Sequence, residues 1–82
     1  SSQVKTTCDL RGMSSEEALI EMEGFLSQAI VNGIRQATII HGHGMGTIKT
    51  LVRDYLSSTG ICKKFFPAPR GAGGNGATIV EF

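Results

Sequence analysis

Two kinds of hydrophobic periodicity alternate along this chain, and their order leaves few folds open. Val4, Thr6, Cys8 and Leu10 fall on one side of an early run and Lys5, Thr7 and Asp9 on the other, the period of two of a half-buried β-strand. At Ser14 the period changes. Ser14 followed by Glu17 is a capping-box pattern, and Leu19, Met22, Leu26, Ala29 and Ile30 then recur at helical spacing, with Glu16, Glu17, Glu21 and Glu23 mostly on the outer side. Asn32-Gly33 stops this helix. Gly24 inside it costs about 1 kcal/mol relative to alanine, which close packing on a neighbour would explain. Ala37 to Ile40 is short, apolar and β-branched, a buried strand. Thr47 is the expected cap of a second helix with Ile48, Leu51, Val52, Tyr55 and Leu56 on one face and Gly60 at its end. Ile61 to Phe66 and Ala77 to Phe82 read as a third and fourth strand, joined by the Pro67–Gly76 loop.

Strands that alternate with helices form parallel pairs through right-handed crossovers. Two crossovers in the same sense put both helices on one sheet face. The last two strands have no helix between them, so the fourth runs antiparallel to the rest. The expected fold is an α+β two-layer sandwich, a four-stranded mixed sheet with both helices on one face. Its 82 residues suit one domain over 1–82. With 40% hydrophobic and 18% charged residues, the chain is not of the disordered class. No apolar stretch approaches the ~20 residues that cross a bilayer, and the first residues lack the basic and apolar regions of a signal peptide. The start without Met is read as a segment excised from the C-terminus of a longer protein. Cys8 and Cys62 could form one disulfide, but both fall in strand-like runs and are expected rather as reduced core residues, which implies a cytoplasmic setting.

The predicted topology gathers three loops at one sheet edge: Asp9-Leu10-Arg11-Gly12, His41-Gly42-His43-Gly44-Met45-Gly46, and the run from Pro67 through Arg70 to Gly76. Ligands of open α/β sheets bind beyond the carboxyl ends of the strands. Seven of the eleven glycines, Gly42, Gly44, Gly46, Gly71, Gly73, Gly74 and Gly76, lie in two of these loops. Glycines leave backbone amides open to an oxyanion, and the second helix begins directly after Gly46. Tight turns alone would explain the same glycines. The spacing is neither a Walker motif nor a dinucleotide fingerprint. Charge is uneven: residues 1–41 sum to −2 and residues 42–82 to +3, so the second half can present a basic surface. Asp9 and Arg11 leave the same strand face and form either an ion pair or a working pair, with Asp9 orienting a catalytic group and Arg11 gripping phosphate. His41 is the candidate general acid or base, with His43 its competitor, or else a hydrogen-bonded structural residue. A closed metal site is not expected, because Zn²⁺ needs three or four ligands and only the two histidines and Asp9 are at hand.

Taken together, Asp9-Leu10-Arg11-Gly12 with Ser14-Ser15-Glu16-Glu17-Ala18, the His41–Gly46 loop, and Gly74-Asn75-Gly76-Ala77-Thr78-Ile79-Val80 resemble, in order and spacing, the three signature motifs of Smr (small MutS-related) domains. The chain is most similar to the C-terminal domain of bacterial MutS-type proteins of the second, non-mismatch-repair class. The resemblance implies a fold similar to the C-terminal domain of translation initiation factor three. It also implies binding of branched DNA or of structured or ribosome-associated RNA, and endonuclease activity in several members. Carried over by position, Asp9 and His41 are the catalytic candidates. By their place in and beside the three loops, rather than by carry-over, Arg11, Gly42, His43, Gly44, Gly46, Lys49 and Arg70 are the candidates for nucleic-acid binding. No resident cofactor is implied, though nicking can depend on Mg²⁺. The partners implied are DNA or RNA, the ribosome, and the ATPase domain of the parent chain. Arg11 stands where many nucleolytic members carry His, and Cys8 where they carry an aliphatic residue. The rival reading is a module that binds nucleic acid or protein without chemistry.

Overall fold

The computed structural model describes residues 5–43, 46–72 and 74–82. Along the chain these form β1 (Thr7–Asp9), α1 (Ser15–Val31), β2 (Gln36–Ile40), α2 (Thr47–Thr59), β3 (Lys64–Pro67), two single 3₁₀ turns (Arg70–Ala72 and Gly74–Gly76) and β4 (Ala77–Glu81). The sheet order is β1-β2-β4-β3. β1 is parallel to β2, and β4 is antiparallel to both of its neighbours. The fourth strand therefore fills the slot between β2 and β3. Backbone amides continue the pairing beyond the strand ends, from Leu10 to the Ile40 carbonyl (2.7 Å) and from Ala68 to the Ala77 carbonyl (3.1 Å).

Strand register sorts the side chains into two faces. Cys8, Ala37, Ile39 and Val80 join Leu10 on the face that both helices cover, packing against Ala18, Met22, Phe25 and Leu26 of α1 and Val52 and Leu56 of α2. The other face holds Asp9, Ile40 and Ala77 in one cross-strand row and Thr7, Thr38, Ile79 and Phe66 in the next. A small second cluster of Ala68, Ala77 and Ile79, flanked by Ile40 and Phe66, sits there.

α1 starts as its sequence dictates. The Ser14 hydroxyl accepts from the Glu17 amide, and the Glu17 carboxylate accepts from the Ser14 amide at 2.9 Å. Asn32 caps its end, and Gly33 follows at φ 70°.

Several expectations need correction. β1 and β3 are shorter than their apolar runs. Ile61 and Cys62 lie in the turn after α2, half-buried against the core, so Cys62 is not a strand residue. Both thiols are free, and burial pushes them up from their ordinary pKa. Gly24 has no packing reason: a Cβ there would meet nothing within 4 Å. On α1, Phe25 is buried, whereas Ile30 is 46% exposed. Thr47 is the first residue of α2 rather than its cap. The cap is Gly46, in a left-handed conformation with no side-chain hydrogen bond to the helix. Val4, the first residue of the predicted first strand, lies outside the described residues, as do Gly44, Met45 and Gly73 of the glycine loops.

Candidate functional site

The ends of β1 and β2 and the entry to β4 meet at one sheet edge. The Gly76 carbonyl accepts from the amides of both His41 (3.0 Å) and Gly42 (2.8 Å), which ties the loop after β2 to the start of β4. Beside this junction lies an open cleft of about 230 Å³ lined by Arg11, Ile40, Gly42, His43 and Gly76.

Arg11 enters the cleft on a fixed path. Its Nε donates to Asp9 Oδ1 (3.0 Å) and its Nη2 to Asp9 Oδ2 (2.7 Å), a fork that orients the guanidinium and leaves Nη1 outside the pair. The Arg11 amide also donates to Oδ1. The Arg11 side chain, its amide and its charge hold the Asp9 carboxyl down at about 2, and Asp9 in turn raises Arg11. The arginine stem crosses Gly42, where a Cβ would lie 3.3 Å from Arg11 Cγ and where φ is +82°.

The two histidines have separate surroundings. His41 is buried on the helix side of the sheet. One ring nitrogen, Nδ1, lies 3.1 Å from the Gly42 carbonyl and the other, Nε2, 2.9 Å from Thr78 Oγ1. A carbonyl only accepts, so Nδ1 carries the proton and Nε2 accepts from the Thr78 hydroxyl. Burial lowers the His41 pKa from its ordinary value. The bond to Gly42 works against that shift, and the charges of Lys49, Arg53 and His43 add to it. His43 is exposed and lines the cleft.

The expected Asp9–His41 pairing is therefore absent. Asp9 is in register with Ile40, on the face opposite Ile39 and His41, and its carboxylate is held by Arg11. Nor is the Gly42 amide available to an oxyanion, since Gly76 accepts it. Lys49 is half-buried near His41 at the start of α2, while Arg70 is exposed on the 3₁₀ turn after β3, outside the cleft lining. Gly46 caps α2, and Gly44 lies outside the described residues. Among the described residues no group of three His, Cys, Asp or Glu gathers to hold a metal ion, and no helix is long and apolar enough to cross a membrane.

Sequence reasoning missed three contributors. Arg53 follows Lys49 by one helical turn, so its place beside His41 follows from the i, i+4 rule. Thr78 and Ile40 carry no local signal of their roles, which register alone decides.

A two-layer sandwich of this topology, with these three loops meeting at one edge, defines the class of small MutS-related modules. Residues 8–82 match the family model described as the Smr domain, and the chain belongs to that family. Among its relatives, it is 46% identical over all 82 residues to the endonuclease MutS2 of Pediococcus pentosaceus. It is 44% identical over the same length to that of Enterococcus faecalis. It spans 10% of the length of each. Its fold matches the crystal structure of the Smr domain of Thermus thermophilus MutS2 with a TM-score of 0.89 at 34% identity, covering 93% of this chain and 95% of that one. It also matches YdaL, a stand-alone small MutS-related protein from Escherichia coli, with a TM-score of 0.76 at 26% identity over 94% of this chain and 63% of that one.

Proposed function

We propose that this domain binds nucleic acid along its loop edge and cleaves a phosphodiester bond held between Arg11 and His43. The observation that carries the reading is the cleft itself. An exposed guanidinium, pre-oriented by Asp9, and an exposed imidazole line one opening at the edge where α2 begins. The endonuclease name of the MutS2 relatives agrees with it.

In this reading Arg11 grips the non-bridging phosphate oxygens through the donors that Asp9 leaves unused. His43 acts as general acid, passing its proton to the leaving oxygen as the P–O bond breaks. The attacking oxygen, from water or from a ribose 2′-hydroxyl, forms the new P–O bond and releases its proton to solvent. The uncapped amides at the start of α2, after Gly46, and the charges of Lys49 and Arg53 favour the phosphate-rich backbone. Arg70 extends the contact along the strand. Asp9 serves as a positioning residue for Arg11, and His41 as a buried clip between β2 and β4. Among the described residues the single carboxylate at the edge, Asp9, is committed to Arg11, so they do not fit a protein-held Mg²⁺. As a module matching a tenth of MutS2, the domain would work in the bacterial cytoplasm beside the ATPase part of a longer chain, on branched DNA or on ribosome-associated RNA.

The test is a nicking and binding assay of the purified domain on branched DNA, single strands and structured RNA, with Mg²⁺ and with EDTA. Cleavage of at least one substrate, with affinity that falls as salt rises, is expected. Salt-sensitive binding without cleavage under either condition would reduce the domain to a binding module. The absence of binding would assign the edge to a protein partner.

A further inference from the structure

Gly76 is a glycine without a backbone reason to be one. Its φ is not left-handed, unlike that of Gly42, Gly46 or Gly74, so its main chain would accept any residue. The reason lies across the cleft. A Cβ built on Gly76 would stand 2.7 Å from His43 Nε2, 2.9 Å from Cδ2 and 3.2 Å from Cε1. Three ring atoms converge on the place a side chain would occupy. The imidazole thus lies on the bare backbone at the entry to β4, and Gly76 is buried beneath it while His43 itself is exposed. The distance between the two is fixed from below, because the Gly76 carbonyl accepts from the amides of His41 and Gly42. Residue 43 therefore leaves a backbone anchored to the residue on which its ring rests.

We infer that Gly76 is a positioning residue: its missing side chain is the seat that holds the His43 imidazole at the cleft that Arg11 also lines. The catalytic use of that position rests on the proposed nuclease reading, but the seat itself does not. Any side chain at position 76 would push the ring by about 1 Å to reach an ordinary contact of about 3.5–4.0 Å. The ring is exposed and can swing into solvent, so such a substitution would cost the fold little and the geometry much. Misplacement on that scale can lower a rate on the order of 10²-fold.

Two measurements test the seat. The first is a nuclear Overhauser contact between the His43 ring protons and Gly76 Hα in the domain, which is expected to be strong and to vanish in Gly76→Ala with a shift of the His43 ring resonances. The second is a cycle of Gly76→Ala, His43→Ala and the double variant, read by melting temperature and by single-turnover nicking. Gly76→Ala is expected to stay folded and to nick about 10²-fold more slowly, and the double variant to nick no more slowly than His43→Ala alone. Absence of the contact in the parent would overturn the proposal. So would an equal loss from Gly76→Ala on both backgrounds, which would mean that residue 76 acts on the backbone and not through the ring. Should Gly76→Ala fail to fold, a folded double variant supports the seat and an unfolded one refutes it. If the parent never nicks, the nuclease reading falls, and the ring contact and its loss in Gly76→Ala still decide the positioning.

Discussion

Replacing Thr78 by valine keeps a β-branched residue in the central strand and removes one hydroxyl. That hydroxyl donates to Nε2 of His41 at 2.9 Å, and neither residue is in reach of bulk water, with Thr78 1% and His41 6% exposed. The variant leaves a buried imidazole nitrogen without a donor, at a cost of about 1–3 kcal/mol. The added methyl group offsets that by about 0.8 kcal/mol at most, so with the full offset the net loss runs from about 0.2 to about 2.2 kcal/mol and centres near ~1 kcal/mol. In a domain of this size each kcal/mol moves the melting temperature by about 4–8 °C, which gives a fall of about 4–8 °C for that central value at pH 7.5 by circular dichroism. Because the clip holds the loop and not the substrate, nicking below the melting transition should fall far less than in His43→Ala. A melting temperature within about 1 °C of the parent would refute the reasoning, and so would a loss of nicking as deep as that of His43→Ala.

Other outcomes follow from the same geometry. His41 binds its proton less readily in the folded domain than in the unfolded chain, so stability should be level above its ordinary value of about 6.5 and decline as pH falls below it. His41→Gln should flatten that decline in melting curves from pH 7.5 to 5. Asp9 titrates in a separate and lower window, down to about 2. Arg11→Ala and Arg70→Ala should each weaken binding across sequences and lower the slope of log affinity against log salt by ~1, measured by anisotropy. Gly24→Ala, exposed in mid-helix with open space around it, should raise stability by about 0.8–1 kcal/mol in denaturant titrations. Ser14→Ala should lower it by about 1 kcal/mol in the same assay.

The periodicities carried most of the architecture because each element buries one face and therefore repeats at its own period. The Ser14–Glu17 box, the inner face of α2 and the antiparallel sense of β4 were all legible in this way. Where β4 inserts is not a local property, although its unbroken run from Ala77 to Val80 suits a strand covered on both faces. The three loops at one edge were legible from topology. The ion pair of Asp9 with Arg11 was legible as one of two readings, because residues two apart share a strand face in any register. The separation of Asp9 from His41 was not, because it turns on a one-residue register: opposite Ile40, Asp9 lies on the face away from His41, whereas opposite Ile39 it would have shared it. Gly24 and Gly76 show the same limit from two sides. The sequence marks Gly76 as part of a motif and Gly24 as a weak point of a helix, but it shows what stands beside neither. In the fold one has nothing beside it and the other has an imidazole where its side chain would be.

The most direct measurement of the central claim is a ¹H–¹⁵N titration of the domain with a short oligonucleotide, recorded with Arg11 and His43 side-chain resonances assigned. Shifts are expected to concentrate at Arg11, Gly42, His43, Gly76 and the first turn of α2, while the outer face of α1 around Glu16 and Ile20 stays still. Shifts centred on α1 with the cleft residues unmoved would contradict that claim.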